Sequence, residues 1–424
     1  MFKDHSWKNK VNSHLNGIKS NLYIGIMSGT SVDGIDVVLS KIQHNSTVLV
    51  GGTSCSFDES LRTEILLLCQ TARCELITLG QLEVKLTKSY AKAVQQLLAN
   101  YQLEPCQIRA IGCHGQTVLH HPFGDHPFSM QLVNANVLAA ETGITCVTGF
   151  RGMDIAFQGQ GAPLVPMFHQ SLFENTVPSA NSDPSKNRVL LNLGGIANLT
   201  LISEKVLKGF DTGPCNTLLD SWMQTKCSQP YDKNGELALS GKVNKSLLSI
   251  LLADHYFSQP HPKSTGREYF NLAWFNQKLE QFESIHSQSL SHPLSNADIM
   301  ATLVQLSAVS ITNELNQALS QEKSRELNQE LKQQASGSLL VFGGGTQNIA
   351  LMNALSRLLP LWHIETTDSI GIESQYMEAL AFAWLSYRCI TGQVANAPSV
   401  TGATQATILG QITQVTRQKL VLGE

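Results

Sequence analysis

The chain has 424 residues, of which 42% are hydrophobic and only 15% charged. At roughly 150 residues per domain that length allows two or three domains, and low charge with an ordinary apolar fraction excludes a disordered chain. Lys and Arg total 30 against 33 Asp and Glu, a formal charge of −3, so there is no basic footprint for nucleic acid and no acidic tail. The nine cysteines include no Cys-x-x-Cys pair, which leaves a zinc ribbon or a thioredoxin-like site without support. Met1 to Ser20 is polar with no apolar h-region. No run of about 18 apolar residues occurs, so no membrane span is expected. A cytoplasmic protein with reduced thiols is the expectation.

In chain order, residues 1–20 read as a polar extension. Leu22 to Met27 reads as a strand, Ser28 to Gly34 as a turn, and Ile35 to Ile42 as a second strand with alternating Ile35, Val37 and Leu39. Helices are expected over 59–70 and 79–100, the second from Leu82, Leu86, Tyr90, Ala93, Val94 and Leu97. Ile108 to Cys113 and Ile144 to Thr148 read as strands around a helix at 132–142. A Pro-, Asn- and Ser-rich loop spans 175–188. Val189 to Leu193 and Ala197 to Ile202 then read as strands around Gly194-Gly195. A helical pattern runs over 296–333 with a very polar tail, followed by the strand Leu339 to Phe342 and a helix over 374–390. This order indicates α/β architecture. Strand, glycine turn and strand recur at 22–42 and 189–202, a weak internal repeat.

Five constellations could carry chemistry. In Ser28-Gly-Thr-Ser-Val-Asp-Gly-Ile-Asp36, glycines and hydroxyls can surround an anion, and Asp33 and Asp36 could hold Mg²⁺. No Gly-Lys-Ser/Thr follows, so this is not a Walker loop, and an ordinary Asp-Gly hairpin is the alternative. Asn192 to Asn198, with Gly209 to Asn216, suggests a second phosphate contact, and Asp211 is a candidate acceptor for Mg²⁺-bound water; a turn aspartate bonded to its own backbone is the alternative. Phe342-Gly-Gly-Gly-Thr-Gln-Asn348 exposes a helix start of the kind that suits a nucleotide. Gly112 to Thr117, with His120 and His121, lacks the carboxylates or cysteines of a metal site; His114 and Gln116 suit a polar substrate better, and a capped turn is the alternative. In Thr148 to Pro166, Arg151 offers a bidentate clamp and Asp154 a general base, against a structural Arg–Asp pair worth little if exposed.

Several of these segments resemble the signatures of the anhydro-N-acetylmuramic acid kinase family. They are Tyr23 to Asp36, Gly112 to Thr117, Phe150 to Pro166, Asn192 to Asn198, Phe210 to Asn216, Phe342 to Asn348, Met377 to Trp384 and Pro398 to Ala403, over about residues 21 to 413. The resemblance implies an α/β fold of two similar lobes of the actin-like ATPase, ribonuclease H-like type, with ATP and the active site in the cleft between them. It implies an N-terminal lobe at 21–185, a C-terminal lobe at 186–395 and a terminal segment, 396–424, packing back on the lobes. Carried over residue by residue, the first phosphate loop would be Gly29, Thr30, Ser31, Val32, Asp33, Gly34, Ile35 and Asp36. Gly194, Gly195 and Asn198 would belong to the second, and Gly343, Gly344 and Gly345 to the adenosine loop. Asp154 would be the catalytic base, with His114, Gln116, Arg151, Gln160 and Glu378 near the sugar, and Asp33 and Asp211 near Mg²⁺. The implied reaction is ATP-dependent opening and 6-phosphorylation of 1,6-anhydro-N-acetylmuramic acid, in a homodimer with no nucleic-acid or membrane partner. This sequence departs from the family pattern at Gln158, where glycine is usual, in its first twenty residues, and in polar inserts at 177–188 and 321–337.

Two other classes fit parts of the pattern. A regulatory ATPase of the actin or chaperone kind explains the glycine turns but leaves His114, Gln116, Arg151 and Asp154 without a task. A glycoside hydrolase explains Asp154 but not three glycine turns. Turnover of the anhydro-sugar with and without ATP and Mg²⁺ separates all three.

Overall fold

The computed structural model describes residues 21–29, 32, 34–44, 46–175, 187–202, 207–261, 263–287, 293–325 and 336–415. The N-terminal extension, most of the insert at 177–188, and residues 326–335 of the other polar insert lie outside them. In chain order the strands are β1 (Leu22–Met27), β2 (Ile35–Gln43), β3 (Ser46–Cys55), β4 (Ile108–Cys113), β5 (Gln116–His121), β6 (Phe128–Leu132), β7 (Cys146–Thr148), β8 (Asn187–Leu193), β9 (Ile196–Ile202), β10 (Leu207–Pro214), β11 (Gly337–Phe342), β12 (Trp362–Thr366) and β13 (Gln411–Thr413).

The chain forms two compact units. Unit 1 holds the residues up to Phe157, then Glu378–Asn396 and the chain from Ala406. Its main sheet has the order β13-β7-β4-β1-β2-β3. β1, β2 and β3 form an antiparallel meander, and β4 and β7 continue parallel to β1. Both faces are covered, so β1 is buried at consecutive positions from Tyr23 to Ile26 rather than alternately. Helix Leu76–Tyr101 presents Leu82, Leu86, Tyr90, Val94 and Leu97 to the core, a stripe at i, i+4 and finally i, i+3 spacing whose members are all but fully buried. Each such side chain contributes about 1.5–3 kcal/mol.

Another helix against this sheet is Met377–Ile390. Gly25 and Gly112 face each other across β1 and β4. A β-carbon on either would collide with the helix backbone, at the carbonyls of Ala379 and Phe382. Two adjacent glycines thus open a trough into which the helix main chain settles. This close approach places Glu378–Asn396 in unit 1, whereas the sequence reading gives everything to residue 395 to the second lobe.

Unit 2 comprises Gln158–Met377 and Ala397–Gln405. Its sheet has the order β10-β9-β8-β11-β12, again a three-stranded antiparallel meander followed by two parallel strands. The two sheets therefore share one plan, which is the structural content of the weak repeat. Helix Asn296–Arg325 carries the unit 2 core, with Met300, Leu303, Leu306, Ile311 and Leu315 buried among Leu191, Leu199, Phe210 and Trp222. Among the described residues no helix is long and apolar enough to cross a membrane.

Candidate active site

The first glycine turn joins β1 to β2. Thr30, Ser31 and Asp33 lie outside the described residues; the rest of the turn is tied down by side chains. Ser28 Oγ lies 2.7 Å from Tyr90 Oη. Gln116 Nε2 donates to the Gly29 carbonyl at 3.2 Å, while Gln116 Oε1, also buried, has no hydrogen-bond partner. Arg62 Nε donates to the Val32 carbonyl at 3.0 Å, and the Val32 amide donates to Gly29 O at 3.1 Å. Val32 is fully buried with φ +55°. A β-branched residue in the left-handed region is strained and persists only where its surroundings fix it. Gly34 and Ile35 lead into β2, and Asp36 there accepts from Ser54, its cross-strand neighbour. Burial raises the Asp36 carboxyl above its ordinary value, against that hydrogen bond.

A second cluster in unit 1 gathers around Arg151 and Asp154. The chain leaves β7 through Gly149 at φ +68° and enters the short helix Gly152–Ala156. Asp154 in this helix is completely buried. Asn396 Nδ2 donates to its Oδ1 at 2.8 Å, and Asn396 Oδ1 accepts from the Thr407 amide at 2.6 Å. Asn396 was not among the sequence candidates. It lies 242 positions from Asp154, and no local pattern announces it. Arg151 Nε donates to His114 Nε2 at 3.1 Å, so the ring proton of His114 sits on Nδ1. Burial, reinforced by the Arg151 charge, holds the His114 pKa well below its ordinary value. The same two causes, with His121, bring His120 to about 4. Both rings are neutral at physiological pH and neither is a proton donor of the imidazolium kind. Phe382 packs on His114 and Phe150, at ring-centroid distances of 4.6 and 5.5 Å. Glu378 is half-buried in the first turn of helix Met377–Ile390.

Unit 2 carries the other two glycine turns. Asn192 pairs with Asn198, and Asn198 with Asp211, so antiparallel register sets the three side chains on one sheet face. Asp211 Oδ2 accepts from the Thr265 amide at 2.9 Å, and its amide donates to the Lys263 carbonyl at 3.0 Å. Gly194 and Gly195 connect β8 to β9, and their carbonyls accept from the amides of Asn216, Cys215 and Thr217 at 3.0–3.1 Å. At the third turn, Gly343 has φ +88° and a β-carbon on it would collide with Asn192 and Leu193. Gly345 is similarly crowded by Leu193. Gly344 differs: it is exposed, and a β-carbon there would meet nothing nearer than Asn216 Nδ2 at 3.8 Å. Gln160 also belongs to unit 2, where its amide donates to Thr401 O at 2.8 Å. The segment before it contains Gln158 at φ +64°, a conformation that explains why glycine suits this position.

The family model for anhydro-N-acetylmuramic acid kinase matches residues 21–415. The chain belongs to the anhydro-N-acetylmuramic acid kinase family. A family member from Pasteurella multocida (strain Pm70) is 44% identical over 391 residues, covering 92% of this chain and 96% of the relative. The protein is thus an enzyme, a kinase of the anhydro-N-acetylmuramic acid class. Solved structures resemble it more distantly. Component A of the (R)-2-hydroxyglutaryl-CoA dehydratase of Acidaminococcus fermentans is 12% identical, with 86% of this chain and 96% of that chain covered and a TM-score of 0.42. A ROK family glucokinase from Streptomyces griseus, in complex with glucose and AMPPNP, is 9% identical, with 86% and 98% covered and a TM-score of 0.34. Likeness at that level carries no functional weight.

Nucleotide phosphates fit the unit 2 turns on their own chemistry. Exposed Gly344 leaves main chain open to a ligand, and the buried Thr217 hydroxyl beside Gly195 has no protein partner. For Mg²⁺, no group of three His, Cys, Asp or Glu side chains occurs among the described residues. Mg²⁺ in phosphoryl transfer is commonly held by one or two carboxylates and the phosphates themselves, and half-buried Asp211 suits that more modest role.

Proposed function

We propose that this kinase uses ATP to open the 1,6-anhydro ring of 1,6-anhydro-N-acetylmuramic acid and to phosphorylate the released 6-oxygen, giving N-acetylmuramate 6-phosphate and ADP. Asp154 is the general base. It takes a proton from the water that attacks C1, the C1–O6 bond breaks, and O6 takes the γ-phosphoryl group as ADP leaves. A glycosidase needs a second carboxyl group to protonate its leaving oxygen; here phosphoryl capture of that oxygen stands in for it. The observation that carries this reading is the completely buried Asp154 carboxylate, fixed on one oxygen by Asn396 and three residues from Arg151.

Arg151, oriented by neutral His114, is assigned to the sugar's carboxylate or hydroxyls, with Gln116, Gln160 and Glu378 as further sugar contacts. The turn from Gly29 to Asp36 and the Gly194–Gly195 and Gly343–Gly345 turns are assigned to the nucleotide. Asp211, with Asp33, would hold Mg²⁺, directly or through water; when bound, the ion neutralises charge on the transferring phosphate. Membership of the family supports a cytoplasmic homodimer working in peptidoglycan recycling and amino-sugar catabolism.

The test is incubation with 1,6-anhydro-N-acetylmuramic acid, with and without ATP and Mg²⁺, followed by mass detection of the sugar. A product that has gained both water and a phosphoryl group only in the complete mixture is expected. Ring opening without ATP would overturn the coupled reaction.

A further inference from the structure

We infer that Arg267 is a phosphate-binding residue of the Gly194–Gly195 turn, acting together with the Thr217 hydroxyl on a terminal phosphate of the nucleotide. The inference rests on the reading of that turn as a phosphate loop. A β-carbon built on Gly195 would lie 2.6 Å from Thr217 Oγ1 and 3.7 Å from both Nε and Nη2 of Arg267. Hydroxyl and guanidinium therefore flank the same side of the glycine.

Thr217 is only 4% exposed and its Oγ1 has no hydrogen-bond partner. A hydroxyl withdrawn from water without a partner is costly, and a ligand oxygen at this turn would relieve that cost. The Thr217 amide donates to Gly195 O at 3.0 Å, which fixes the residue against the turn.

The main chain around Arg267 is anchored on both sides. Thr265 N donates to Asp211 Oδ2 and Asn271 Nδ2 donates to Arg267 O, at 2.9 and 3.2 Å. Upstream, the buried Lys263 Nζ donates to Glu314 Oε1 at 2.6 Å and to Tyr256 O at 3.1 Å. A planar, permanently charged fork on an anchored segment suits phosphate oxygens. Such a donor stabilises developing phosphoryl charge without reorganising during the reaction. Asp211 then has a second task, holding the segment that carries the arginine.

The test compares binding of AMPPNP and AMP to the full chain, together with kcat and KM, in the wild type, Arg267→Ala, Arg267→Lys and Thr217→Val. Arg267→Ala should weaken AMPPNP by about 10- to 100-fold, as for a lost charge-assisted hydrogen bond, with AMP affinity unchanged. Its kcat/KM should fall about 10²–10³-fold, and Arg267→Lys should recover part of both. Thr217→Val removes only the unpartnered hydroxyl, so the ligand-free melting temperature should hold or rise while AMPPNP weakens. Equal loss of AMPPNP and AMP, or loss of neither, in folded Arg267 variants would make the arginine structural and overturn the inference. A wild type that does not prefer AMPPNP to AMP would overturn the phosphate reading of the turn as well, and the wild-type measurement alone reveals that case.

Discussion

Unit 1 and unit 2 each set a three-stranded antiparallel meander beside two parallel strands, yet their first hairpin turns are held by different means. In the unit 1 turn, Ser28, Gly29 and Val32 are held by side chains from distant segments: Tyr90, Gln116 and Arg62. The unit 2 turn, Gly194–Gly195, is fixed by main-chain bonds from Cys215, Asn216 and Thr217. The glycines differ in the same way. Gly25 and Gly112 admit a helix backbone to the unit 1 sheet, whereas Gly344 leaves open space at a turn of unit 2. One topology thus supports a unit whose first turn is held by side chains and a unit whose first turn is held by main-chain bonds.

The sharpest test of that division is Asp154→Asn. The amide oxygen can still accept from Asn396, so the fold and nucleotide affinity should persist. It cannot take a proton from water, so kcat should fall about 10²–10⁴-fold, with KM little changed. Near-normal kcat in the folded variant would remove Asp154 as base. A fall in melting temperature with a raised KM and a preserved kcat would instead make it a structural partner of Arg151.

Next in size is a matched pair of glycine substitutions. Gly25→Ala places a methyl group in the backbone of helix Met377–Ile390 and should cost about 3 kcal/mol, at the upper end for overpacking. Gly344→Val has room and should leave chemical denaturation within about 0.5 kcal/mol of wild type, yet weaken ATP about tenfold or more. Equal stability loss in both would erase the distinction between packing glycines and ligand glycines.

The same distinction explains what the sequence could and could not show. Glycine turns after buried strands, the stripe from Leu82 to Leu97 and the strand–turn–strand repeat at 22–42 and 189–202 are local patterns, and each has its counterpart in the structure. The link from Asn396 to Asp154, the Arg62 clamp on Val32 and the Gly25–Gly112 trough arise only when distant segments meet. Arg267 follows Ser264-Thr265-Gly266, a polar glycine turn ending in arginine that carried a weak signal. Strands β3 and β5 lack a clear apolar alternation, and β3 contains Gly51 and Gly52; β6 and β12 alternate, at Phe128, Met130 and Leu132 and at Trp362 and Ile364, but over only five residues each.

A smaller effect comes from pH, through one buried histidine in each unit. His169 of unit 2 is buried beside Thr200 Oγ1 at 2.9 Å, and burial lowers its pKa to about 3. The unfolded chain binds a proton there below about pH 6.5 while the folded chain does not. Stability from this residue is therefore full above about 6.5 and is lost as pH falls toward 3, by up to about 1.4 kcal/mol per pH unit. The neutral His114 of unit 1 acts in the same direction. In urea titrations from pH 7 to 4.5, His169→Gln should flatten the slope by about one histidine's share. An unchanged slope would remove His169 as a source of the acid sensitivity.

The smallest expected effect concerns the backbone where unit 2 begins. Gln158 is exposed and sits at φ +64°, so its side chain adds strain without adding burial. The left-handed conformation costs a residue with a β-carbon about 1–2 kcal/mol, whereas glycine adopts it freely but loses more entropy on folding. The two terms differ in Gln158→Gly by about 1 kcal/mol in favour of the variant, so its denaturation midpoint should rise with an unchanged denaturant slope. Val32 shares the left-handed conformation but is fully buried. Val32→Gly would relieve comparable strain and lose a Val side chain worth about 1.5–3 kcal/mol of burial, so it should destabilise. Opposite signs at the two positions would show that strain is tolerated at Val32 for its packing in the first turn and at Gln158 for no packing at all. If Gln158→Gly also destabilises, the glutamine has a stabilising role at that turn that outweighs its backbone cost.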